Sequence, residues 1–386
     1  MSDGTHGGID RWDAVVVGAG PSGAAAALAL ARGGASVLLV ERSAWPRWKV
    51  CGACIGPGAL ASLEVLGAAE TVRRAPAVPL TRMLLRRQGR VARLPLAGWV
   101  TLSRAALDEV LVREAERAGV EVWTGARARR GGVGEGARTL HVSRGRSERH
   151  VAASVVIDAT GLGHGLADDG GPPTRAAAHA RVGVGAELDA ADYPVADGEL
   201  HMVVGRVGYV GLVRVEGGRL NVGAAVDASA LRDRAPADVV AGILTDAGLP
   251  PLPATALRGW RGTPALTRSA SDVGAERLLR VGDAAGYVEP FTGEGITWAL
   301  GDGVAAAALA RLALDGSPAD ALTAWRRYRA GRRTRAERLC RALARGLRNP
   351  WLVGLAIGAL DVLPGLAAPL VRRAARAPRA LAMART

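Results

Sequence analysis

The run "VVVGAGPSGAAAALAL", residues 15–30, compresses a strand, a glycine turn and a helix into sixteen residues. The apolar stretch at 14–19 reads as a short buried strand, and the alanine-rich segment from about Ser22 to Arg32 as a helix. Gly18, Gly20, Pro21, Ser22 and Gly23 form the turn between them, with the glycines in G-x-G-x-x-G spacing. The first glycine permits a tight turn, the second lets a pyrophosphate approach the backbone, and the third lets the helix pack closely. Helix N–H groups and the macrodipole then favour the phosphate charge. "ASVLLVER", residues 35–42, is a second strand containing Glu41 and Arg42. Glu41 lies 23 residues beyond Gly18, where this fingerprint carries the acid that bonds a ribose hydroxyl. A right-handed β-α-β crossover makes the two strands parallel.

Composition narrows the rest. The 386 residues hold one Phe and four Tyr, so the core is mainly aliphatic, and their number allows two connected domains. Three cysteines, Cys51, Cys54 and Cys340, cannot build a disulfide framework. Cys51 and Cys54 form a C-x-x-C outside a thioredoxin-like setting, too few thiols for an iron–sulfur cluster and without the paired histidines of a zinc site, so no metal is expected. The opening residues lack a basic-then-apolar leader, which gives a cytoplasmic expectation, with the chain peripheral to a membrane as an addition.

Of the formal charge of +14, twelve units fall after residue 319, where fifteen arginines face Asp320, Glu337 and Asp361. Such a tail suits a membrane surface, an acidic carrier protein or a phosphorylated substrate, or is simply a solvated helix face. No reader motif accompanies the arginines, so nucleic acid is not expected. The apolar run 351–371 is interrupted by Asp361, Pro364 and Pro369. Two short amphipathic helices, over a substrate channel or on a bilayer, fit it better than a membrane span.

Between these ends, "TLSRAALDEVLVREAERAG" has helical spacing and stops at Gly119, and "VEVWTGARARR" reads as one strand leading to a hairpin near 131–136. "HVAASVVIDATG" is a buried strand ending in a glycine turn. From about Arg175 to Arg268, four short strands with glycine turns suggest an antiparallel sheet. A long helical region from about Gly295 to Arg348 breaks near 316–318.

The stretch "LLRVGDAAGYVEPFTGEGITWAL", residues 278–300, delivers Asp283 from a strand to a polyol-binding position and opens a helix at "GEGI", whose N-terminus suits a flavin's N1–C2=O edge. On this pattern, on "KVCGACIGPGAL" at 49–60 and on "SRAALDEVLVREAERAGVEV" at 103–122, the chain over roughly 11–315 resembles FAD-dependent oxidoreductases of the geranylgeranyl reductase type. These belong to the wider p-hydroxybenzoate hydroxylase-like class. The resemblance implies an α/β fold, α+β overall: a Rossmann-like FAD-binding domain from 11–75, 101–174 and 275–316. A mainly antiparallel β-sheet substrate domain from 76–100 and 175–274 is inserted, and 317–386 forms a basic C-terminal helical region. FAD would meet the 18–23 turn, Glu41, Arg42, Cys51, Gly52, Arg104, Ala128, Gly161, Asp283, Gly293, Glu294, Gly295 and Ile296. No second nucleotide fingerprint is present, so NAD(P)H or another reductant would serve as donor without a dedicated domain.

Lys49, the only lysine among 50 cationic residues, stands two residues before Cys51. Both are candidate catalytic groups: Lys49 as a compact charge beside the flavin or an anionic substrate, Cys51 as a proton donor. The bland readings are a solvated lysine and a packed thiol. Tyr209, Gly211 and Phe291 are candidate pocket residues. In prenyl reductases the matching strand reads like Y-G-W-V-F-P, whereas "YVGLVR" here puts Gly211 for tryptophan, Val213 for phenylalanine and Arg214 for proline. His164, in a glycine-rich loop, reads as solvated. The functional expectation is hydride transfer to or from a carbon–carbon bond of a bulky apolar metabolite, prenyl or polyketide-like. The alternatives are a flavin monooxygenase and an electron-relay flavoprotein.

Overall fold

The computed structural model describes residues 9–134, 136–162, 166, 174–253, 259–289, 291–378 and 380–383, without the side chains of 332–336, 380 and 383. His164 and Pro290 lie outside the described residues. Five parallel strands form the spine of the first sheet, in spatial order Leu278–Arg280, Ser147–Asp158, Asp10–Val17, Val37–Glu41 and Glu121–Thr124. The valines at 15–17 and the run Val37–Val40 are almost wholly buried, as a sheet covered on both faces requires. "VEVWTGARARR" is two strands rather than one. Gly125, at φ +66°, breaks it into Glu121–Thr124 and Ala126–Gly134, and the second part leaves the parallel spine for an antiparallel hairpin with Ala137–Arg144, which joins the same sheet through Ser147–Asp158.

The second sheet also has eight strands, in the order 261–265, 182–188, 220–226, 208–214, 199–204, 78–87, 90–101 and 54–55. All its pairings are antiparallel except the one between Glu199–Val204 and Val78–Arg87. Cys54–Ile55 is its last strand, so the loop just before it, which carries Lys49 and Cys51, runs between the two sheets.

Two helices hold the dinucleotide turn from behind. The Pro21–Arg32 helix is alanine-rich because Gly295–Leu314 packs directly on it: a Cβ on Gly303 would lie 2.3 Å from the Ser22 carbonyl oxygen. Gly295–Leu314 is apolar and long enough to cross a membrane, but 72% of that stretch is buried in the fold. The break at 316–318 separates it from Pro318–Gly346. This last helix inserts Trp325, fully buried, whose Nε1 donates to the carbonyls of Val273 and Arg280 at 3.0 and 3.1 Å. The apolar C-terminal run folds as two arms, Pro350–Val362 and Pro364–Ala374, meeting at 118°.

Candidate functional site

A cavity of about 1170 Å³ runs between the two sheets, from the glycine turn at 18–22 to an apolar chamber under the C-terminal arms. One end of it is built on three glycines with different surroundings. A Cβ on Gly18, at φ +103°, would meet the Ala159 oxygen at 2.4 Å, and one on Gly23 would meet the Gly18 oxygen at 1.8 Å. Both are excluded by backbone already in place. Gly20 differs: the nearest atom to its Cβ position is Arg104 Nη2 at 3.7 Å, so the space in front of it is an open cradle. The helix behind it starts without a side-chain cap, leaving its first N–H groups to a ligand.

Around the cradle stands a cluster of charges. Arg104 reaches Asp108 through Nε and Nη2 at 3.0 and 2.9 Å, one helical turn apart. Arg47 meets the same carboxylate at 3.0 Å and donates to the Ala19 carbonyl at 2.7 Å. Burial works against the Arg104 charge, but Asp108 outweighs it and its pKa stands above the ordinary arginine value. Glu41 accepts from the Ala19 and Ser43 N–H groups, both at 2.9 Å, with Arg47 at 3.6 Å. Burial raises its pKa, but Arg47 and these two N–H groups prevail and keep it below the usual value. Lys49 lines the same wall; burial, with Arg47 and Arg104 close by, lowers its pKa to about 8. The buried Arg47 Nε has no acceptor among the described residues. Three cations face three carboxylates here, counting Asp283 across the cavity. Burial pushes Asp283 up to about 6 against the pull of Arg104 and Lys49. An open glycine cradle, free helix N–H groups and a buried guanidinium atom together fit a diphosphate.

Asp283 sits on the turn Gly282–Ala285, which is tied down from below. Asp302 Oδ2 accepts from the Gly282 N–H at 3.1 Å and from Arg329, which also donates to the Ala285 carbonyl at 2.9 Å. The Gly295–Leu314 helix begins at the cavity without a side-chain cap, with Gly293, Gly295 and Ile296 on the wall. The Glu294 side chain does not line the cavity. It accepts from Thr292 Oγ1 at 2.7 Å and lies 3.8 Å from Cys340 Sγ.

Across from this helix, the Cys51 carbonyl accepts from Asn221 Nδ2 at 2.9 Å, and a Cβ on Gly223 would approach that carbonyl oxygen to 3.0 Å. The loop therefore lies flat on a bare strip of the second sheet. Cys51 is half-buried on the cavity wall, whereas Cys54 is buried and its pKa is pushed up to about 12 by desolvation. Tyr209 and Phe291 meet edge to face at 5.0 Å on the same cavity. Gly211 leaves the space in front of Met202 clear, its Cβ position 3.3 Å from Sδ. Arg214 does not enter the pocket. It is buried and donates to the carbonyls of Ala190, Ala191, Tyr193, Val195 and Gly218, fastening a loop on the far side.

The structure thus brings the sequence-derived candidates to one cavity: Gly18, Gly20, Pro21, Ser22, Glu41, Arg42, Lys49, Cys51, Gly52, Arg104, Ala128, Gly161, Tyr209, Gly211, Asp283, Phe291, Gly293, Gly295 and Ile296 all line it. Gly23 and Glu294 do not, the first because it packs against Gly18 and the second because it turns to Thr292. Arg47, Asp108, Asp302 and Arg329 were missed. Asp108 had a signal in its i,i+4 spacing from Arg104. Arg47 and Arg329 had none among 50 cationic residues.

Residues 11–342 match the family described as FAD binding domain. A menaquinone reductase of Mycobacterium tuberculosis (strain ATCC 25618 / H37Rv) is 30% identical over 340 residues, covering 78% of this chain and 76% of its own length. A digeranylgeranylglycerophospholipid reductase of Methanopyrus kandleri is 32% identical over 312 residues, covering 75% and 74%. The crystal structure of p-nitrophenol 4-monooxygenase from Pseudomonas putida DLL-E4 shares the fold at TM-score 0.75 and 17% identity, covering 95% of this chain and 99% of that one. The match spans both the cradle and the Arg329 helix that supports it, and on it this chain belongs to the FAD-binding-domain family, within the p-hydroxybenzoate hydroxylase-like flavoproteins, as an FAD-dependent oxidoreductase.

Proposed function

We propose that the protein reduces a carbon–carbon double bond in a bulky, apolar, polyisoprenoid-type substrate. The observation that carries this reading is the far half of the cavity. Beyond Cys51 and Asp283 it continues between Leu94, Leu96, Trp99, Met202, Leu360 and Leu370. A chamber walled in this way gains from every methylene it removes from water, about 0.8 kcal/mol each. The two relatives named as reductases of menaquinone and of digeranylgeranylglycerophospholipid support the same reading.

When bound, FAD supplies the two-electron chemistry. The chain's own residues then have separable tasks. Gly20 and the first N–H groups of Pro21–Arg32, with Arg104 and Arg47, hold the diphosphate, and Asp283 is placed for the polyol. The uncapped start of Gly295–Leu314 favours negative charge at the reacting end. Saturating a double bond also takes one proton at the second carbon. Lys49 Nζ, with its pKa lowered to about 8 by burial, is largely protonated at neutral pH and holds one. Cys51 Sγ, two residues along the same wall, is the second group able to do so. Trp99 and Leu96 keep bulk water from the chamber. The external reductant, NAD(P)H or another two-electron donor, acts from the solvent side.

The test is product mass. Protein carrying FAD, reduced without oxygen and mixed with a short polyprenyl alcohol, should return product two hydrogens heavier. Substrate recovered unchanged from all polyprenyl compounds, or one oxygen heavier after admitting air, would overturn the reading.

A further inference from the structure

Nine large apolar side chains are exposed among the described residues, and six of them lie between Trp351 and Leu366. They are Trp351, Leu352, Leu355, Val362, Leu363 and Leu366, with Trp351 69% and Val362 78% exposed. They belong to the bent pair of arms, whose inner side is anchored by Val353 and Ile357 at 6% and 1% exposure. The first arm has 13 residues, short of the roughly 20 that a membrane span needs, and the 118° elbow at Pro364 prevents the two from acting as one. This geometry places apolar tips at a surface rather than through a bilayer.

Two further observations say what covers the tips. From Arg338 onward the sequence holds nine arginines against Asp361 alone. Exposed Arg345 precedes the first arm, while exposed Arg372 and Arg376 lie on and just beyond the second. The patch is therefore flanked by cations. A second copy of the chain would set that cationic rim against itself, whereas an anionic bilayer offers phosphate to the arginines and hydrocarbon to the tips. The patch is also continuous with the cavity: Leu366 is 60% exposed and at the same time lines it, together with Leu360, Leu370 and Val371.

We propose that the 350–374 elbow docks on the surface of an anionic bilayer, with Trp351, Leu355, Val362 and Leu363 in the acyl boundary and the flanking arginines on lipid phosphate. The apolar end of the cavity then faces hydrocarbon, and a lipid-soluble molecule enters past Leu366 without crossing water. The docking stands without the proposed chemistry; only its use as a substrate entrance rests on that reading.

The experiment is flotation of the full FAD-loaded chain with phosphatidylcholine vesicles, with and without phosphatidylglycerol. The protein should float with the anionic vesicles, stay down with phosphatidylcholine alone, and release as salt shortens the Debye length. A Trp351→Ser, Leu355→Ser, Val362→Ser variant should keep its flavin absorbance and bind anionic vesicles at least about tenfold more weakly. If that variant loses flavin, an Arg345→Gln, Arg372→Gln, Arg376→Gln variant takes its place and should likewise lose flotation. Wild type that ignores anionic vesicles, or a flavin-loaded variant of either kind that floats as well as wild type, overturns the proposal. So does a wild-type dimer that the serine variant converts to monomer while vesicles go unbound, because the face would then belong to a second copy. Flotation reads no chemistry, so failure of the reductase reading leaves its outcome intact.

Discussion

Arg104 and Arg47, from different segments of the chain, share one carboxylate: Asp108 receives two hydrogen bonds from the first and an ion pair from the second, all at 2.9–3.0 Å. Asp108 is fully buried. It fixes where both guanidinium groups point before any ligand arrives. Asp108→Ala should therefore take the hydrogen-bonded carboxylate from Arg104, leave Arg47 with Glu41 alone at 3.6 Å, and destabilise the apoprotein by about 3–5 kcal/mol. Urea unfolding of the apoprotein measures this, and added FAD should recover part of the loss. An unchanged midpoint would remove the carboxylate from its organising role.

Gly20 and Gly23, three residues apart, should respond in opposite ways to the same methyl group. Gly20→Ala meets open space, so the apoprotein should unfold as wild type does while FAD affinity, read by fluorescence titration, drops about tenfold or more as the backbone is held off the diphosphate. Gly23→Ala collides with the Gly18 carbonyl, so stability itself should fall, by about 1–3 kcal/mol. Equal stability losses in the two variants would contradict the open cradle.

Lys49 gives a pH signature. Folding lowers its pKa from 10.5 to about 8 by burial, with Arg47 and Arg104 adding to the effect. Between those two values the unfolded chain holds more protons than the folded one, so Lys49 makes apoprotein stability rise with pH across that window. Lys49→Met should abolish that rise and be the more stable form at pH 7. Because the chain has one lysine, reductive methylation with ¹³C-formaldehyde gives a single side-chain resonance. It should titrate near pH 8 without FAD and higher with it, since the diphosphate favours the charged amine. A titration at the ordinary lysine value in the apoprotein would place Lys49 in solvent.

The three thiols should react in a set order. Cys54 and Cys340 are buried, with pKa values pushed up to about 12 by desolvation, whereas Cys51 stands half-buried on the cavity wall. Iodoacetamide should label Cys51 first, and bound FAD should protect it. Peptide mass mapping checks the order. Cys51→Ala should keep stoichiometric FAD and slow turnover; unchanged turnover would leave the thiol a packing role and put Lys49 forward as the proton-holding group.

The sequence was legible wherever local chemistry determines structure. The 15–30 run, Glu41 at the end of its strand, and the "GDAAG" and "GEGI" turns are short-range signals, and each falls where its spacing implies. The single-strand reading of 120–130 failed because a β-propensity run says nothing about whether Gly125 lets the chain leave its parallel partner for an antiparallel hairpin in the same sheet. Arg214 falls on a strand, as its run reads, but its five carbonyl partners come from loops whose approach no periodicity encodes. Arg47 and Arg329 are long-range choices: among so many arginines, only the folded chain distinguishes a structural guanidinium from a solvated one. Gly211 was legible as a pocket residue from the strand it replaces a tryptophan in, but only strand register sets Gly223 beside it across the sheet.

Arg329 gives the basic tail a double character. Its guanidinium reaches back to Asp302 and the Ala285 carbonyl, directly beneath the turn that carries Asp283. The helix bearing it also plugs the core with Trp325. Trimming from the C-terminus should accordingly be graded: losing the elbow removes only the proposed docking face, but cutting back past residue 329 removes a keystone, and yellow colour and solubility should vanish in the same step.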